Sequence, residues 1–151
     1  FIYVQAVAGF ILLPYVKNLY RLPDRTIHKI SWLVFRFGIL VVAGAIPAIW
    51  AVLTYGYHFS LDWSFFALGA VFILPVFFYS AQVYLLYKHN RQQRVLLANM
   101  GGILLNFGLN VLLIPRLGLQ GALIATASAQ LLTAVLIVLY VREARNLKAA
   151  A

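Results

Sequence analysis

The chain has 151 residues, of which 64% are apolar and 10% charged, against about 45–50% and 25% in soluble domains. With a mean hydropathy of +0.92, it has too few polar groups to cover the surface that a soluble globule of this size leaves in water. A soluble enzyme, a nucleic-acid-binding module and a disordered tail are excluded, and the net charge of +9 reflects scarce acids, Asp24, Asp62 and Glu143, against twelve Lys and Arg.

In chain order the apolar runs predict about five membrane-spanning helices in an all-α polytopic bundle, because a hydrocarbon core of about 30 Å needs about 20 apolar residues. Residues 1–16 are short for a span, as a truncated helix would be. Phe1 opens into this run with no Met and no basic flank, unlike a signal peptide. The expectation is a chain entered in mid-helix, a distal portion of something longer. Residues 31–54, 63–87, 95–114 and 121–140 supply the remaining spans. All are expected to be helical, since a lone apolar segment satisfies its backbone in lipid only that way. The runs lack the alternation of barrel strands.

Charge alternates sharply between the links. Lys17, Arg21, Arg25 and Lys29 precede the second run, with Arg36 just inside it, and residues 55–62 carry no Lys or Arg. Lys88, Arg91 and Arg94 follow the third run, Arg116 alone follows the fourth, and Arg142, Arg145 and Lys148 follow the fifth. Alternate links on opposite sides place eleven basic residues on one side and one on the other. The positive-inside rule makes the basic side cytoplasmic and the C-terminus internal. Trp32, Tyr55, Tyr57, Trp63, Tyr87 and Tyr140 sit near span ends as an aromatic belt.

Few residues inside the spans carry chemistry. No Asp or Glu lies within one, which excludes paired carboxylates and a buried-carboxylate proton relay. His28, His58 and His89 have no metal-ligand spacing and there is no Cys, so no metal site and no cofactor are expected. Asn99, Gly102, Asn106 and Asn110 share one face of the fourth span. Asn106 lies near its centre, where an amide facing lipid would go unpaired. That face serves either interhelical hydrogen bonding or the lining of a cavity. On the fifth span Gly121, Ala125 and Ala129 form a small-residue stripe suited to close helix contact. Thr126, Gln130 and Thr133 mark a second, more polar face, where Gln130 pairs with another helix or lines a cavity. Arg36 lies about one and a half turns inside its span, so it either snorkels to the headgroups or binds an anionic group from a cavity. Pro47 and Pro75 each remove a helix hydrogen bond and predict kinks. The candidate substrate-binding residues are therefore Arg36, Asn106, Asn110 and Gln130.

The stretch NVLLIPRLGLQGALIATASAQ, residues 110–130, resembles the penultimate-to-last helix turn of the polysaccharide flippases of the multidrug/oligosaccharidyl-lipid/polysaccharide exporter superfamily. Its most specific part is Ile114 to Thr126: Pro115 is expected to stop one helix, and Gly118 and Gly121 to permit a tight outer turn. YLLYKHNRQQRVLLANMGGILLNFGLN is similar to that family's basic loop and Asn-bearing helix. ILLPYVKNLYR and AIPAIWAVLTYGYHF look like its Pro-terminated helix and its Pro-to-Tyr-Gly segment.

The resemblance implies a MATE-like two-lobed transporter of about twelve helices, in two pseudo-symmetric halves around a cavity. This chain would supply the last five, and its missing partner would be the N-terminal half of the same protein. The implied activity is translocation of undecaprenyl-pyrophosphate-linked oligosaccharide repeat units across a bacterial inner membrane, in polysaccharide and O-antigen biosynthesis. Cationic cavity residues would meet the pyrophosphate and polar ones the sugars, although Arg36 matches no motif of the family. Other readings are a lipid-precursor flippase of cell-wall synthesis, a drug/cation antiporter of the same superfamily, and a non-transporting membrane scaffold. A membrane glycosyltransferase would want acidic residues at one membrane surface, whereas Asp24 and Asp62 fall on opposite sides. No nucleic-acid partner and no enzymatic activity are expected.

Overall fold

A computed structural model describes residues 21–58 and 62–149. Among them every regular element is helical: α1 (Asp24–Ala51) with a π-helical continuation (Val52–Gly56), α2 (Trp63–Lys88), α3 (Gln92–Leu117) and α4 (Leu119–Ala149). All four are long and apolar enough to cross a membrane, so the chain is a multi-pass membrane protein. Four spans rather than five lie among the described residues, and the run at 1–16 lies outside them. The 26 residues of α2 or α3 reach about 39 Å at 1.5 Å per residue, enough to cross the core with both ends in the headgroups.

The helices outlast the apolar runs because charge ends a hydrophobic pattern without ending a helix. α1 starts at Asp24, seven residues before the predicted span, with Pro23 in the N-cap position and Asp24 in its first turn. An acid there complements the helix dipole. α4 runs nine residues past Tyr140 through VREARNLKA, a segment rich in strong helix formers. Its extension is held by Arg94, whose guanidinium lies 2.8 Å from Glu143 and 4.9 Å from the centre of the Tyr140 ring.

Pro47, Pro75 and Pro115 all lie inside continuous helices. The expected stop at Pro115 is thus corrected: α3 continues to Leu117 and ends at Gly118. One turn from a helix end, a proline forfeits a single hydrogen bond. The Gly118 N–H still closes the last turn on the Ile114 carbonyl at 2.9 Å. Gly118 then turns the chain with φ +54° and ψ −129°, backbone angles that essentially only glycine adopts. The link between α3 and α4 shrinks to this one residue.

The helices run alternately up and down. α1 packs on α2, α2 on α4, and α4 on α3, with little contact between α2 and α3. Val34, Val42, Phe72, Ile73 and Phe77 fill the α1–α2 seam, while Ile27, Leu85, Leu86, Val95, Ala98, Ile137 and Val141 join all four helices at one end. At that same end Lys88 donates to Asp24 at 2.8 Å and to the Leu22 carbonyl at 2.6 Å, and His89 lies 3.0 Å from the other Asp24 oxygen. The basic residues flanking the helices therefore gather on one side of the bundle, with Arg116 at the other.

Asp24 precedes the apolar stretch of α1, so its ionisation is a headgroup-side property. Desolvation alone would raise its pKa, but the hydrogen bonds and charges of Lys88 and His89 outweigh it and hold the carboxyl below the ordinary range. A carboxyl depressed in the fold stabilises above its unfolded pKa and loses that contribution as pH falls through its folded value. Asp24→Asn should lower stability at pH 7 by about 1–2 kcal/mol, between an exposed and a fully buried pair. Thermal unfolding across pH should show a deficit at pH 7 that begins to shrink below about pH 3.9 and vanishes once the pH lies below the folded value. A deficit unchanged in acid would show that packing, not charge, holds this end together.

Candidate functional site

Two polar faces meet between α3 and α4. Asn99, Gly102, Ile103 and Asn106 of α3 and Thr126, Ala129, Gln130 and Thr133 of α4 line an open groove of about 440 Å³, with Tyr79 of α2 at its edge. The close approach that creates it depends on Gly102. A Cβ there would overlap Thr133 Oγ1 and lie 3.4 Å from the Ala129 carbonyl.

The wall is held by hydrogen bonds whose directions are set by donor supply. Thr126 Oγ1 donates to the Ala122 carbonyl at 2.8 Å, which leaves its oxygen to accept from Asn106 Nδ2 at 3.3 Å. Asn110 Nδ2 donates to Asn106 Oδ1, and Asn110 Oδ1 is buried with no hydrogen-bond partner among the described residues. Thr133 Oγ1 donates to the Ala129 carbonyl at 2.9 Å. Tyr79 Oη donates to Gln130 Oε1 at 2.9 Å and ties α2 to α4. The Gln130 Nε2 donors and the Asn99 amide make no hydrogen bond among the described residues, so they offer free polar capacity to the groove.

Asn106 therefore serves both of the roles open to it, bonding to a neighbouring helix and lining a cavity. Gln130 does the same. Asn110 lies outside the groove lining and supports Asn106 from one turn further along α3. Arg36 is not brought to this groove: it is exposed on the outer face of α1, where it lines a separate shallow recess with Lys29, Trp32 and Leu33.

Tyr79 is the groove residue that the sequence reading missed. Its signal was present, because a tyrosine in mid-span carries a hydroxyl that must find a partner in hydrocarbon. Attention to aromatic residues at the span ends passes it over.

No Lys, Arg, His, Asp or Glu lines the groove, and no group of three His, Cys, Asp or Glu with metal-binding proximity occurs among the described residues. The site is thus an uncharged array of amides and hydroxyls in an apolar wall. It can exchange hydrogen bonds with a neutral polar ligand, and it offers nothing to neutralise a phosphate. No family model, curated protein or solved structure matches this chain.

Proposed function

We propose that this chain forms part of the distal lobe of a flippase for lipid-linked oligosaccharides in a bacterial inner membrane, with its basic side cytoplasmic. The reading rests on the resemblance of residues 110–130 and, within the fold, on the groove between α3 and α4. Its neutral donors and acceptors match sugar hydroxyls. Its volume of about 440 Å³ lies within the range of about 300–1,000 Å³ common for small-molecule sites. A second lobe would close the groove on its open side. It would also cover part of the apolar surface that α3 leaves exposed at Leu97, Leu104, Phe107 and Val111. The pyrophosphate would be met by cations outside this groove.

Carboxylate placement within these helices supports this reading over an antiporter, unless the other half supplies the coupling acids, and over a glycosyltransferase. Asp24 and Glu143 sit in ion pairs at the basic end, and Asp62 occupies the N-cap of α2 at the opposite end. The groove holds no carboxylate to couple a cation, as an antiporter would want. The two aspartates at opposite ends do not assemble a glycosyltransferase site.

Reconstitution of the full-length protein in vesicles tests the proposal. Undecaprenyl-pyrophosphate oligosaccharide loaded in one leaflet should become accessible to a glycan-cleaving enzyme on the other side. The unglycosylated carrier should move at least about tenfold more slowly, the worth of one or two hydrogen bonds lost from the groove. Movement of neither lipid would remove the flippase reading and leave the scaffold in its place.

A further inference from the structure

One exposed face of α1 sets cations beside an aromatic ring. Arg25, Lys29, Trp32 and Arg36 recur at i, i+4, i+7 and i+11, which is one helical face, and all four are exposed. The opposite face, with Ile27, Val34, Gly38 and Val42, is buried. Arg25, Lys29 and Arg36 make no ion pair among the described residues, whereas Lys88 and Arg94 on neighbouring helices do. Lys29, Trp32, Leu33 and Arg36 enclose an open recess of about 490 Å³. The Trp32 ring is fixed edge-on by Phe35 at 5.7 Å and Phe78 at 5.3 Å, yet it remains 47% exposed. Beyond Arg36, toward the membrane centre, the same side of the helix continues as exposed Leu40.

We propose that this face is a binding site for an anionic diacyl phospholipid of the leaflet at the basic end of the bundle. Lys29 and Arg36 are about 10 Å apart along the axis at 1.5 Å per residue, a span that their long side chains bridge by converging on one phosphate. Arg36 supplies a planar fork that matches phosphate oxygens, and Lys29 a mobile point charge. Trp32 sits at the headgroup level that indoles favour. An acyl chain then lies over Leu40, so head and tail follow the polarity gradient of the helix itself. Such a lipid also resolves the position of Arg36, whose charge lies inside an apolar span and meets no protein anion there. The inference needs only that α1 spans the membrane, and it is independent of what the groove between α3 and α4 carries.

Lipid retention reads this site directly. The full-length protein is purified from nanodiscs of equal phosphatidylglycerol and phosphatidylcholine, and its bound lipids are counted by native mass spectrometry. Phosphatidylglycerol should be retained preferentially. Each cation near the surface contributes about fivefold, so K29Q/R36Q should lose on the order of thirtyfold, and R116Q at the opposite end should lose nothing. K29Q alone, which removes an amine that makes no hydrogen bond or ion pair among the described residues, should lose about fivefold and keeps the test valid if the double variant fails to fold. Equal retention of the two lipids, or retention unaffected by K29Q, would overturn the proposal. Displacement of the lipid by millimolar inorganic phosphate would overturn it too, since the site would then recognise a free anion. Displacement by one equivalent of undecaprenyl pyrophosphate would reassign the face to a transported carrier.

Discussion

Gly121→Val is expected to separate α3 from α4 and to be the most destabilising single substitution in the bundle. A Cβ at Gly121 would lie 2.5 Å from the Leu113 carbonyl oxygen, 2.6 Å from its carbon and 3.0 Å from Ile114 N. These are backbone atoms of a helix that cannot rotate aside as a side chain would. The helices must move apart at the end where one residue, Gly118, joins them. Everything packed further down the seam, including Ala125 and Ala129, then loses contact. Overpacking of this kind costs about 3 kcal/mol, the upper part of its usual range. Thermal unfolding of the purified protein should show a clear fall in midpoint. Gly108→Val on the partner helix α3 is the control, because nothing lies within 4 Å of a Cβ at that position. Equal midpoints for the two variants would mean that the helices do not meet at Gly121.

The same seam shows what the sequence can and cannot disclose. Gly121, Ala125 and Ala129 recur every four residues, and all three are buried; their spacing states a packing face without any need to know the neighbour. The polar faces Asn99–Asn106 and Thr126–Thr133 were legible on each helix separately, for the same reason of period. Their convergence on one groove is a fact about how two helices rotate against each other, and neither sequence alone contains it. Helix ends were less legible. Hydropathy marks where lipid stops, whereas α1 starts as far back as Pro23 allows and α4 runs on through its charged segment to Ala149. Pro115 misled because its effect depends on its distance from the helix end. Arg36 could be placed at a depth but not on a side, since the direction it faces is set by Val34, Gly38 and Val42 packing against α2.

That separation divides the chemistry of the bundle into two surfaces. Apart from Arg116, the cations of the described helices lie at one end and on the outer face of α1, and the groove amides lie between α3 and α4. A ligand that carries both a phosphate and sugar hydroxyls would engage these chemistries at different depths. A ligand with only one of them would engage only one surface.

Gln130→Leu carries the second large effect, on transport rather than on folding. The substitution keeps the volume of the side chain and removes both the acceptor of the Tyr79 hydroxyl and the free amide donors facing the groove. Tyr79→Phe breaks the same hydrogen bond from the other side and leaves those donors in place. As interhelical ties the two changes are equivalent, and each should cost about 0.6–1.5 kcal/mol of stability. As groove chemistry they are not. If the Gln130 amide meets the oligosaccharide, Gln130→Leu should slow vesicle transport about tenfold beyond Tyr79→Phe, the value of one hydrogen bond made in the translocating state. The double variant should then be no slower than Gln130→Leu alone, because Tyr79 acts only through Gln130. Equal transport by the two single variants at equal stability would assign Gln130 to holding helices together and leave Asn99 and Asn106 as the only groove amides able to meet a sugar.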